Sequence, residues 1–123
     1  MLIIWESKTG NVSRFIEKLP KELKRNALRI SQINNKIREK FVLITYTTGF
    51  GAIPEEVNSF LEKNYEYLLG VSASGNKNWG DNYAASADKI AAQYAVPILT
   101  KFELSGTKNN IIEFMNKINQ LQL

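Results

Sequence analysis

The sequence predicts a single α/β domain of the doubly wound kind, with a five-stranded parallel sheet and helices on both faces. Three observations predict it. Short apolar runs of four to six residues alternate along the chain with stretches of helical periodicity, which implies parallel strands joined by right-handed crossovers. The runs are continuously apolar, as in strands buried on both faces. The 123 residues, 44% of them hydrophobic, suit one conventional core. A chain with about five strands and four helices in this alternation takes the strand order 2-1-3-4-5.

Each element can be justified in turn. Met1 to Trp5 is an apolar run ending in a polar turn, the first strand. Val12, Phe15, Ile16 and Leu19 fall at i, i+3, i+4 and i+7, which predicts an amphipathic helix, N-capped by Asn11 and stopped near Pro20. Ala27 to Ile30 suits an edge strand, because Arg29 interrupts it. Phe41 to Tyr46, rich in β-branched and aromatic residues, is a buried strand ending at Thr47-Thr48-Gly49-Phe50-Gly51. Pro54, Glu55 and Glu56 suit a first helical turn, with Val57, Phe60 and Leu61 facing inward. Tyr67 to Ser74 reads as a strand in which Gly70 marks a close approach. A helix opened by Asp81 or Asn82 then buries Tyr83, Ala87, Ile90, Ala91 and Tyr94. "VPILTKFEL" is the last strand. Ser105-Gly106-Thr107 caps a final helix whose stripe is Ile111, Phe114, Met115 and Ile118. Trp5 and Tyr46, lying within strands, read as core.

Composition narrows the function. With no cysteine, disulfides, thiolate catalysis and cysteine-ligated metals are excluded. With no histidine, the usual general base and the commonest zinc ligand are missing as well. Any chemistry must then be carried by something bound. No apolar run approaches the roughly 20 residues that span a bilayer, and no basic segment leads into an apolar one at the N-terminus. The expectation is a cytoplasmic protein without a membrane partner. The net charge of +4 is uneven: residues 14 to 40 hold nine Lys and Arg against three Glu. This block lacks interleaved aromatics and reads as a solvated helix face plus a loop, or alternatively as a nucleic-acid surface.

In a doubly wound fold, ligands sit outside the carboxyl ends of the strands. Four such ends carry polar, glycine-bearing segments: 7–11, 47–51, 74–82 and 105–107. They should converge on one rim. Segment 7–11 offers hydroxyls and backbone donors where a helix begins, which suits a phosphate but equally describes an ordinary capped turn. Two nucleotide fingerprints fail. Gly75 and Gly80 have the Walker spacing, but Asp81-Asn82 stand where Lys and Ser or Thr are needed. Gly49-Phe50-Gly51 begins a dinucleotide motif, but its third glycine would be Pro54. A phosphorylated receiver would want an acidic cluster, and only Glu6 is present. What remains is a phosphate site beside loops whose glycines admit a flat ligand, with Phe50, Trp79 and Tyr83 placed to stack on it or, alternatively, to pack loop on helix. A flavin mononucleotide (FMN) fits that description better than bare phosphate.

"SKTGNV" at 7–12, "TYTTGFG" at 45–51, "ASGNKNWGDNYA" at 73–84 and "KFELSGT" at 101–107 resemble the NrdI family, flavodoxin-like activators of class Ib ribonucleotide reductase. The middle two motifs are the specific ones. The resemblance implies an FMN protein that works with NrdF, the reductase's small subunit. In that family reduced FMN reacts with dioxygen and supplies superoxide or peroxide to a dimanganese site in NrdF, where a tyrosyl radical forms. Carried over by position, Ser7, Lys8, Thr9, Gly10, Asn11 and Val12 would hold the phosphate. Thr47, Thr48, Gly49, Phe50 and Gly51 would lie along the isoalloxazine. Ser74, Gly75, Asn76, Asn78, Trp79 and Gly80 would close the other side.

The short loop after Thr48 should leave the flavin edge open to dioxygen and a partner. A backbone carbonyl within Gly49 to Gly51 is expected to face flavin N5, and a reductant must feed the cofactor. The basic block should run toward the opposite end of the sheet, and Glu6, Lys8, Lys77, Asp81 and Lys101 should leave the rim nearly balanced. Two other readings stand beside this one. They are a general flavodoxin that only carries electrons, and a flavin-free module using residues 14–40 on nucleic acid.

Overall fold

The computed structural model describes residues 1–121. Its sheet has five parallel strands in the order β2-β1-β3-β4-β5: β1 Leu2–Trp5, β2 Ala27–Arg29, β3 Phe41–Thr45, β4 Leu68–Gly75 and β5 Ile98–Glu103. Helices α1 Asn11–Glu17, α2 Lys21–Lys24, α3 Glu55–Asn64, α4 Ala85–Tyr94 and α5 Lys108–Leu121 connect or follow them. The predicted fold class and strand order are the ones observed.

The continuous apolar runs become two cores, one on each face, because successive strand residues point to opposite sides. Ile4, Leu43 and Val71 face Val57, Leu61, Ala87 and Ile90 of α3 and α4. Ile3, Val42, Ile44 and Phe102 face Val12, Phe15, Ile111, Phe114 and Ile118 of α1 and α5. The second core is aromatic: Phe15 stacks on Phe102 at 4.1 Å, and Phe114 meets Phe15 edge-on at 5.7 Å. At Gly70 a Cβ would lie 2.9 Å from Leu99 Cδ2, the close approach the sequence suggests.

Three local expectations need correction. Asn11 is the first residue of α1, and the cap position is Gly10, whose φ of 92° a glycine adopts without strain. The chain after Pro20 makes an extra turn, α2. Proline ends α1 because it has no N–H, yet its carbonyl accepts from Leu23 and Lys24, each at 3.0 Å. Helix α4 begins at Ala85, later than Asp81 or Asn82, because residues Lys77–Asn82 form 3-10 turns kinked at Gly80.

Candidate functional site

All five strands run the same way, so their carboxyl ends share one rim, and three of the segments leaving it enclose a cleft of about 440 Å³. Its walls are Ser7, Lys8, Thr9, Asn11 and Val12 after β1; Tyr46, Thr47, Thr48 and Gly49 after β3; and Ser74, Gly75, Asn76, Trp79 and Asn82 from the end of β4 onward. Leu104 closes the side next to β5.

The elbow after β1 is built around one hydroxyl. Ser7 Oγ accepts from the N–H of Gly10 at 3.2 Å and of Ser13 at 3.3 Å. Both lone pairs are then engaged, and its single proton is what it can still offer. Arg29 on the edge strand braces the elbow from below: Nε donates to Glu6 Oε1 at 2.5 Å and Nη2 to the Ser7 carbonyl at 2.6 Å. Glu6 Oε1 also accepts from the Ser7 N–H at 3.0 Å, and the guanidinium lies 5.2 Å from the Trp5 ring centroid. Members of the basic block therefore reach the rim, Arg29 here and Arg14 through a 2.7 Å bond from Nη2 to Asn11 Oδ1, contrary to the expectation that the block lies away from it. Glu6 is consumed by that pair. Lys101 is not on the rim either, since within β5 it pairs with Asp88 of α4 at 2.5 Å.

Beyond β3, Thr48 and Ala52 pair through backbone bonds of 3.0 and 2.7 Å, making Gly49-Phe50-Gly51 a tight turn. At Gly49 φ is 48° and a Cβ would meet no atom within 4 Å, so it is conformation rather than space that favours the glycine there. At Gly51 packing matters too: a Cβ would lie 2.9 Å from that of Ala85. The tip, Phe50, is 90% exposed.

Hydroxyls tie the loops together. Thr47 Oγ1 donates to the Ser74 carbonyl at 3.1 Å. Ser86 Oγ lies 2.8 Å from Thr47 Oγ1 and 3.1 Å from the Tyr46 carbonyl, its one proton serving either. Ser74 Oγ donates to the Leu104 carbonyl at 2.5 Å, and the Leu104 N–H to the Gly75 carbonyl at 3.0 Å. Those two bonds hold Leu104 at a φ of 54°, a strained conformation for a bulky residue. After β4, the Asn76 side chain caps its own loop by accepting from the Asn78 N–H at 2.9 Å.

Most of the residues singled out from the sequence meet in this cleft, but not all. Gly10, Gly51, Asn78 and Gly80 belong to the same loops but do not line the cleft. Phe50 borders an adjoining apolar cavity of about 450 Å³, which it shares with Gly49, Trp79 and Asn82. Segment 105–107 does not line the cleft: Lys18 Nζ donates to the carbonyls of Ser105 and Gly106 at 3.1 and 2.8 Å and holds them against α1. Thr107 does cap α5, accepting from the Asn110 N–H at 3.2 Å. Sequence reasoning missed Tyr46, Asn82 and Leu104. Tyr46 is partly buried and packs against the second core, as a core reading expects, and it also lines the cleft, its hydroxyl donating to Glu56.

Comparisons with known proteins agree with this fold. Residues 3–116 match the family model described as NrdI Flavodoxin like. A curated relative, Protein NrdI of Bacillus licheniformis, is 53% identical over 119 residues, covering 97% of this chain and 88% of its own. Two solved structures share the fold. A short-chain flavodoxin associated with a non-canonical PDU bacterial microcompartment has a TM-score of 0.72 at 20% identity, over 99% of this chain and 97% of that one. Oxidised Flavodoxin 1 from Bacillus cereus has a TM-score of 0.66 at 14% identity, over 98% and 95%. At such identities the likeness speaks for the fold alone.

Proposed function

Because the chain belongs to the NrdI flavodoxin-like family, we propose that it binds FMN in this cleft and supplies oxidant to NrdF, the dimanganese small subunit of class Ib ribonucleotide reductase, in the cytoplasm. The observation that carries the reading is the convergence of three strand-end loops on one cleft with a polar elbow at one end and bare backbone beside aromatics at the other. The donor set fits the cofactor. About 440 Å³ is within the roughly 300–1,000 Å³ usual for small-molecule sites.

Ser7 to Val12 would hold the phosphate, the remaining Ser7 proton being free to donate to one of its oxygens, while Arg29 keeps the elbow in shape. Thr47 to Gly51 and Ser74 to Gly80 would enclose the ring and orient it. When bound, FMN supplies the redox and oxygen chemistry, which a chain without histidine or cysteine does not itself provide. The glycines of the Gly49-Phe50-Gly51 turn would permit one peptide to rotate, so that a carbonyl there would face a bound ring in one oxidation state and not in the other. Crystal structures of the oxidised and reduced complexes with identical backbones there would sink that assignment.

Adding FMN to purified apoprotein should give a protein-bound flavin spectrum. The reduced complex, mixed with manganese-loaded NrdF and dioxygen, should produce a tyrosyl radical in electron paramagnetic resonance. A pure electron carrier would produce none, and a nucleic-acid module would stay colourless yet shift DNA mobility.

A further inference from the structure

Tyr46 and Glu56 form a contact that the flavin assignment leaves unused. Tyr46 is part of the cleft wall between the elbow and the turn after β3. Its hydroxyl donates to the carboxylate of Glu56, in the first turn of α3. We propose that Glu56 is a positioning residue for the cofactor: through this bond it fixes the Tyr46 ring as a preformed wall of the cleft. The proposal rests on the assignment of FMN to that cleft.

The anchor is rigid at both ends. The Tyr46 carbonyl is approached by Thr45 Oγ1 at 3.2 Å and Ser86 Oγ at 3.1 Å, so its backbone is tied and mainly the side-chain torsions are left to fix. On the other side, Val57, Phe60 and Leu61 bury α3 against the sheet, and Glu56 rides on that packing. The chemistry of the bond suits a lasting tie. Accepting from Tyr46 holds the Glu56 carboxyl below the usual carboxylate range, with the Lys8 charge adding to the effect. Burial, and then the bond to Glu56, push the Tyr46 hydroxyl up. At neutral pH the donor keeps its proton and the acceptor is ionised, the stronger class of hydrogen bond. The α3 N-terminus favours that negative charge as well.

A side chain that must be ordered when a ligand arrives weakens binding, whereas one ordered beforehand does not. The same carboxylate also borders a second cavity of about 500 Å³ lined by Ile33, Lys36, Phe60 and Lys63. Glu56 thus stands between the cleft wall and the second cavity.

The test is a double-mutant cycle on FMN affinity, with visible circular dichroism of the bound flavin as a second readout. Glu56→Ala and Tyr46→Phe should each weaken FMN about three- to tenfold. The double variant should be no weaker than either single one. Glu56→Gln keeps an acceptor oxygen and should recover most of the affinity and the wild-type flavin dichroism. Additive losses, or Glu56→Ala binding like wild type, would overturn the proposal. Should Glu56→Ala fail to fold, Tyr46→Phe and Glu56→Gln decide alone: wild-type affinity in the former, or a loss in the latter equal to that of Tyr46→Phe, would overturn it. A wild-type protein that takes up no FMN removes the cleft assignment and this role together. Normal wild-type binding with indifference to Glu56→Ala removes only the positioning role.

Discussion

Arg29 shows how much of the cleft depends on a single side chain outside it. It neutralises a buried carboxylate and holds the Ser7 carbonyl in the same grip. Arg29→Ala would leave Glu6 largely buried and without its cation, which should cost about 2 kcal/mol of stability in urea unfolding, less than a fully buried pair because Arg29 is partly exposed. It should also loosen the elbow and weaken FMN. Gly49→Asp tests the opposite wall. Aspartate tolerates a positive φ better than most residues, and a Cβ there meets nothing. Stability should therefore stay within about 1 kcal/mol of wild type, while flavin titration shows clearly weaker binding. Unchanged FMN affinity with normal NrdF activation would count against assigning that turn to the ring.

At the scale of elements, the junction between β4 and α4 controls the loop that closes the cleft. A Cβ at Gly75 would lie 2.4 Å from the Ala84 nitrogen, a backbone atom that cannot step aside. Gly75→Ala should cost about 1–3 kcal/mol and displace residues 76–82; thermal unfolding together with FMN affinity would register both effects. The β4–β5 pair holds a different liability. Ser72 and Thr100 stand opposite each other, and among the described residues neither buried hydroxyl finds a partner. Thr100→Val removes one such hydroxyl at nearly constant shape and should raise stability by about 1 kcal/mol in urea unfolding. The tie between the end of β3 and α3 gives the fold a pH range. Glu56 titrates below its ordinary 4.5 in the folded state, so its contribution is present above that value and lost as pH falls through the lower one. Tyr46 is raised above 10.0, so its contribution is full below that value and lost as the solution becomes more alkaline. Unfolding midpoints in wild type should be flat between about pH 5 and 9 for this pair, and Tyr46→Phe should remove the alkaline decline it causes.

For the whole molecule, the cleft is the part with unfinished contacts, because two packed faces already bury the sheet. A ligand seated there couples three strand ends at once. Free FMN at about 100 times its dissociation constant should add about 2.7 kcal/mol, a rise in melting temperature of about 10 °C for a chain of this length. The charge distribution also differs from a bare count. Glu17, Glu6 and Glu66 pair with Lys24, Arg29 and Lys36, and Lys18 is committed to carbonyls of the turn after β5. Among the described residues, no helix is long and apolar enough to cross a membrane.

The sequence by itself determined the sheet, its strand order and the loops that form the rim. Runs such as Phe41 to Ile44 are apolar on every residue, the pattern of a strand buried on both faces. It also determined the family, since "TYTTGFG" and "ASGNKNWGDNYA" carry a resemblance that periodicity alone lacks. Tertiary structure decided how the rim is closed. Arg29, Tyr46, Ser86 and Leu104 act at the cleft through partners 22 to 40 residues away in sequence or, for Tyr46, on the next helix, and no local spacing reports such pairs. It likewise moved 105–107 off the cleft, because Lys18, just past the end of α1, holds those carbonyls. Burial pattern is a property of each segment and can be read along the chain, whereas hydrogen bonding between loops exists only once the strands have set their ends side by side.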